Sequence, residues 1–143
     1  MRTRITVLVA TVVTAVAATT ASASGPALAE GVAFKQIARS GVAGTGTVTQ
    51  NGIGTRVAVR LNGLEPGSTA RVLLRSGRWP NLSASFARAV TVKADASGRA
   101  RGTSAIRFRN EPVAFNIVAD GHHVLTVVVS GRVVAQAEIP GLD

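Results

Sequence analysis

The chain of 143 residues contains no cysteine. Disulfides, thiolate metal sites, a cysteine nucleophile and thiol redox switching are thereby excluded, and an exported chain of this kind depends on packing alone. Tyrosine is missing too, and the aromatics amount to four Phe and one Trp. That is a poor inventory for stacking on nucleotide bases or sugar rings. Histidine occurs only at His122 and His123. No Ser/His/acid triad suggests itself, and no carboxylate pair for hydrolysis is visible, because Asp and Glu fall mainly in turns. Acidic residues are scarce, seven against sixteen basic, for a net charge of +9. No window carries helical periodicity.

What is present begins with an export signal. Arg2 and Arg4 form a short basic start, Ile5 to Ala18 is uncharged and rich in Val, Ala and Thr, and a small-residue stretch ends in Ala27-Leu28-Ala29. This is the n-region, h-region and A-x-A order of a secretory signal peptide. The apolar run falls short of the ~20 residues of a membrane span. Residues 1–29 are therefore expected to be removed by cleavage after Ala29, giving a secreted protein with no transmembrane segment in its mature part. Glu30 to Asp143 suits one domain, which can bury roughly 65% of its unfolded surface. Beyond the leader the only lysines are Lys35 and Lys93. The preference for Arg reads as coding bias, whereas the net sign favours anionic wall polymers, lipid headgroups or nucleic acid as neighbours.

The mature part is a series of short alternating or β-branched runs cut by turns. Strands are expected at 32–37, 44–50, 55–61, 68–75, 87–93, 99–106, 122–129 and 132–139. The apolar run at 113–118 reads as either a strand or a helical turn. Asn51-Gly52-Ile53-Gly54 is a hairpin signal. After it, Val57, Val59 and Leu61 alternate with Arg56, Ala58 and Arg60, the period of a half-buried antiparallel strand. Val72 and Leu74 likewise face away from Arg71, Leu73 and Arg75. Residues 76–86 read as the longest irregular loop. The pairs Gly44/Gly46 and Gly52/Gly54 lack a strand-to-helix context and read as turn and bulge glycines, not a phosphate cradle. The fold expected is all-β, an antiparallel Greek-key sandwich or barrel of about 8–9 strands.

Gly63-Leu64-Glu65-Pro66-Gly67, followed by a strand ending in Gly77, resembles the segment leading into the copper strand of Cu/Zn superoxide dismutases and CHRD domains. Val92 to Ala100, with Asp95 and Gly98, is similar to that family's short turn, and Ser130 to Ile139 is similar to its C-terminal strand. The resemblance implies a β-sandwich scaffold and a copper-binding H-x-H pair. One alignment puts that pair at Val72 and Leu74, the other at Leu73 and Arg75. The third ligand would fall in Val127-Val128-Val129. No position carries a histidine, the ligand type such a site needs. The implied disulfide halves correspond to Gln136 and to the neighbourhood of Arg78-Trp79. Dismutase activity is not expected to carry over, since fold does not imply function.

The candidate binding residues are Arg71, Arg75, Arg78 and Trp79. The only Trp lies between arginines, where the family has its active-site mouth, and Trp and Arg dominate interface hot spots. The competing reading is that Trp79 plugs an open end of the core, because large aromatics are mostly buried. Arg56, Arg60, Arg107 and Arg109 extend the outward arginines and would form a basic stripe if their strands are neighbours. His122 and His123, with Asp120, are the only conceivable metal ligands, but adjacent strand residues point to opposite faces. No metal or other cofactor is expected. The leading expectation is a non-catalytic, secreted or envelope-associated module of binding or structural role. Its partners would be anionic envelope polymers or another secreted protein, without specific nucleic-acid binding. A weak metal-handling or dismutase-like protein and a basic polyanion binder are the alternatives.

Overall fold

The structure, a computed structural model, describes residues 29–51, 54–114 and 122–140; of Asn51 only the backbone is described. The expected signal peptide, apart from Ala29, lies outside these residues, as does most of the ambiguous 113–118 run. Eleven strands are present: β1 Ala29–Gln36, β2 Ala43–Asn51, β3 Gly54–Asn62, β4 Thr69–Arg78, β5 Asn81–Leu82, β6 Ala87–Lys93, β7 Ala100–Ala105, β8 Arg107–Phe108, β9 Glu111–Pro112, β10 His123–Val129 and β11 Arg132–Ile139. Every pairing is antiparallel, in the order β7-β3-β2-β1-β11-β10-β4-β6-β8-β9, with β5 on β4. The protein is all-β, and among the described residues no helix is long and apolar enough to cross a membrane.

Eight of these strands correspond to the eight expected, and β6 and β11 begin and end where the alternation places them. β5, β8 and β9, of two residues each, were not expected. The loop expected at 76–86 is a correction. β4 runs on to Arg78 and turns through Trp79-Pro80, whose peptide is cis, into β5. The second correction concerns Gly44 and Gly46, which lie inside β2 opposite Phe34 and Val32. A Cβ on Gly46 would meet the side chains of both residues. The missing side chain is what admits Phe34, the one phenylalanine in the core among the described residues.

The sheet curls into a nearly closed barrel around a core of small and medium apolar residues. Val48, Val57, Val72, Leu125, Val127 and Ala135 are almost or fully inaccessible. β6 and β7 lie side by side at the seam without pairing, and Gly102 is close enough that a Cβ there would press on Val92 and Val90. The seam is thus held by side-chain packing. One end of the barrel is closed by the 63–68 and 94–99 connections. Leu64 N donates to Gly98 O at 3.1 Å, Ala94 N to Ser68 O at 2.9 Å and Gly67 N to Ala94 O at 3.1 Å, while the Leu64 side chain enters the core.

Asp95 organises the second of these connections. Its Oδ1 accepts from Ser97 Oγ at 2.6 Å, Ser97 N at 2.9 Å and Arg99 N at 3.0 Å. The Ser97 hydroxyl first, then the Arg99 and Ser97 backbone amides, holds the carboxyl below the usual Asp range. A lowered folded-state pKa adds stability above the unfolded value of about 3.9 and loses it as pH falls through the folded value. Asp95→Ala should therefore be less stable than the parent at neutral pH. The gap should narrow as pH drops below about 4 in urea titrations run at stepped pH. A gap independent of pH would refute the role of the ionised carboxylate.

Candidate functional site

Alternation along each strand puts the arginines outside, and the register decides which of them meet. β3 and β4 are not neighbours, so the single stripe projected from Arg56, Arg60, Arg71 and Arg75 does not form. Two separate basic faces exist, one on each side of the β6/β7 seam.

The first face spans β2, β3 and β7. Arg60 stands directly opposite Arg101, and Arg56 opposite Ala105. On the other flank of β3, Thr45 pairs with Arg60, Thr47 with Ala58 and Thr49 with Arg56. A shallow depression of about 460 Å³ runs over Thr45, Thr47, Ala58, Arg60, Arg101 and Thr103. It adjoins another of about 650 Å³ that adds Asn62, Asp95 and Arg99. Like charges directly opposite each other destabilise a ladder. Among the described residues, Arg56, Arg60 and Arg101 have no ion pair or side-chain hydrogen bond to offset this.

The second face spans β4, β6 and β8. Arg88 faces Arg107 across the ladder, but here the protein supplies its own acceptors. Arg88 Nη2 donates to Asn110 Oδ1 and Arg107 Nη1 to Asn110 O, each at 3.0 Å. Arg71 lies beside this pair on a groove shared with β7. Leu73, outward by alternation, pairs with Arg88 and Thr126 and is nonetheless buried.

The four candidates do not converge on one point. Arg71 belongs to the second face. The Arg75 guanidinium lies 5.6 Å from the Phe86 ring centre, and its Nε is buried without an acceptor among the described residues. Arg78 Nη2 donates to His122 Nε2 at 3.0 Å. Trp79 occupies the β4–β5 turn, half-buried and outside the core cluster. The plug reading of Trp79 is thus corrected: the residue is half-buried in the two-residue β4–β5 turn and is neither in the core cluster nor packed against it.

His122 and His123 do not form a metal centre with described residues. No group of three His, Asp or Glu side chains able to hold an ion occurs there. Asp120 lies outside the described residues. Glu30, the expected first mature residue, lies on the inward side of β1 beside Val32. Its Oε2 is buried without a hydrogen-bond partner among the described residues, and burial raises its pKa.

Sequence reasoning missed Arg99, Arg101 and the Asn110 bridge. The Arg99-x-Arg101 alternation was legible, but its significance depends on β7 lying beside β3. Fold and surface together define an all-β antiparallel barrel with two arginine-rich outer faces. No protein-family model, curated protein or solved structure matches the chain.

Proposed function

We propose that the protein is a secreted, non-catalytic binding module on a scaffold resembling the superoxide dismutase and CHRD class, and that its β2-β3-β7 face engages an anionic envelope polymer. The observation that carries this reading is the Arg60–Arg101 pair. Two arginines stand directly opposite each other across the ladder, and among the described residues neither makes an ion pair or a side-chain hydrogen bond. The equivalent Arg88–Arg107 pair is bridged internally by hydrogen bonds to Asn110 oxygens. An external anion at Arg60 and Arg101 would do what Asn110 does on the other face. Thr45, Thr47 and Thr103 add hydroxyls around the same depression. The leader and the barrel architecture support export and the scaffold resemblance, and the scarcity of acid/base pairs supports the non-catalytic reading.

The test uses long-chain inorganic polyphosphate and measures its affinity against salt. For a flexible polyanion the slope of log K against log salt falls by about 0.7 per neutralised charge. The Arg60→Gln/Arg101→Gln double variant is expected to bind more weakly at low salt and to flatten the slope by about 1.4. Arg78→Gln, remote from this face, should leave it unchanged. Equal slopes for the parent and the double variant would overturn the reading.

A further inference from the structure

Arg78 and His122 meet where β4 ends and β10 is about to begin. The two strands are paired as far as Ser76 and His123. Gly77 N then donates to His122 O at 2.7 Å, which extends the pairing by one residue. Arg78 is held on its other side by the β4–β5 hairpin, opposite Asn81. Both side chains are exposed, and Arg78 Nη2 lies 3.0 Å from His122 Nε2. A guanidinium has five N–H donors and nothing that accepts. Nε2 is therefore the acceptor, and the single imidazole proton sits on Nδ1. The contact exists only while the ring is neutral, and imidazole is the side chain that ordinarily changes charge between about pH 5 and 8. Once Nε2 is protonated, two donors and two positive charges stand where one hydrogen bond was, and the backbone pairing keeps the two residues adjacent.

We propose that Arg78 and His122 form an acid-gated oxyanion site, closed by their mutual hydrogen bond and opened when His122 takes up a proton. The ligand class follows from what the protonated pair lacks. Neither residue has an ion pair among the described residues. One rung further along the same side of β10, Val124 stands between Glu138 of β11 and Arg75 of β4. These two are diagonal neighbours of His122, about 7–8 Å away, and opposite in sign. His123 faces the other side of β10, and Asn81 is uncharged. A sulfate or phosphate group has oxygens enough to accept from both cations, which turns a repulsive contact into two charge-assisted hydrogen bonds. The site is separate from the Arg60–Arg101 pair, whose charge does not change over this range.

Calorimetric titration of the purified protein with sulfate, at pH 5 and pH 8 and constant ionic strength, tests this. Sulfate keeps the same charge at both values, and emission from Trp79, beside Arg78 and the only Trp in the chain, gives a second readout. Sulfate is expected to bind at least fivefold more tightly at pH 5. His122→Asn, never charged, should bind at pH 5 no better than the parent does at pH 8. His122→Arg, always charged, should bind equally at both values and as tightly as the parent at pH 5. Arg78→Gln should lose at least fivefold at pH 5, whereas Arg60→Gln/Arg101→Gln should leave the ratio between the two values unchanged. Both positions are exposed, so these substitutions leave the core intact. Dextran sulfate distinguishes the source of the anion: saturation by sulfate assigns the site to a free oxyanion, and acid-dependent binding of the polymer alone assigns it to groups carried on a chain. Equal affinity at the two pH values, a His122→Asn variant that keeps the difference, or saturable binding of neither ligand at pH 5 would overturn the proposal.

Discussion

Gly63→Ala is expected to lower stability by about 3 kcal/mol or more, read as a shift in urea midpoint at constant m. Two separate causes add here. Gly63 has φ +76, in the left-handed region, where an L side chain costs about 1–2 kcal/mol. In addition, its Cβ would land on the backbone carbonyl of Gly41, which cannot swing aside as a side chain could. Gly67 separates the two causes. It has φ +79, yet a Cβ there would meet nothing within 4 Å. Gly67→Ala should therefore lose only the conformational share, about 1–2 kcal/mol. If the two variants unfold at the same urea concentration, the close approach of the 63–68 connection to Gly41 is refuted.

Ile106→Ala should lose about 2–5 kcal/mol, the range for truncating a fully buried Ile or Leu. Ile106 is completely inaccessible and belongs to the core cluster. Its backbone is pinned on both sides, with N donating to Thr55 O at 2.8 Å and O accepting from Val113 N at 3.1 Å. The surrounding chain has little freedom to collapse into the space left behind, which favours the upper part of that range. Ile106→Val, removing one methylene, should lose about 0.5–1.5 kcal/mol. An alanine variant within 1 kcal/mol of the parent would mean that the connection from β7 to β8 is not the fixed corner described above.

The contrast between these residues shows what the sequence could convey. The β3 alternation of Val57, Val59 and Leu61 with Arg56 and Arg60 is local, and the structure keeps every side where the alternation puts it. β6 and β11 are legible for the same reason. Pairing across the barrel is not local. Nothing near Arg60 announces Arg101, because the β3–β7 register is set by how the whole sheet curls. β5, β8 and β9 are too short to carry a period, so the hairpin that brings Asn110 between two arginines could not be foreseen. Trp79 misled through a general tendency. Large aromatics usually go inside, but this one follows Arg78 into a two-residue turn. Leu73 misled in the other direction: its alternation is outward, yet it is buried, beside a register shift between Val72 and Leu73.

The seam between β6 and β7 bears on how the protein tolerates crowding. A sheet that stops short of closing leaves two rims of backbone donors and acceptors, templates on which strands of other molecules could grow into fibrils. Here one rim belongs to β7, and it is turned against β6 with Gly102 packed on Val90 and Val92. The other end of the ladder is β9, two residues long, where Pro112 has no N–H to offer. A chain so rich in Val and Thr, without disulfides to lock it, thus offers an incoming strand one hidden rim and one short one among the described residues.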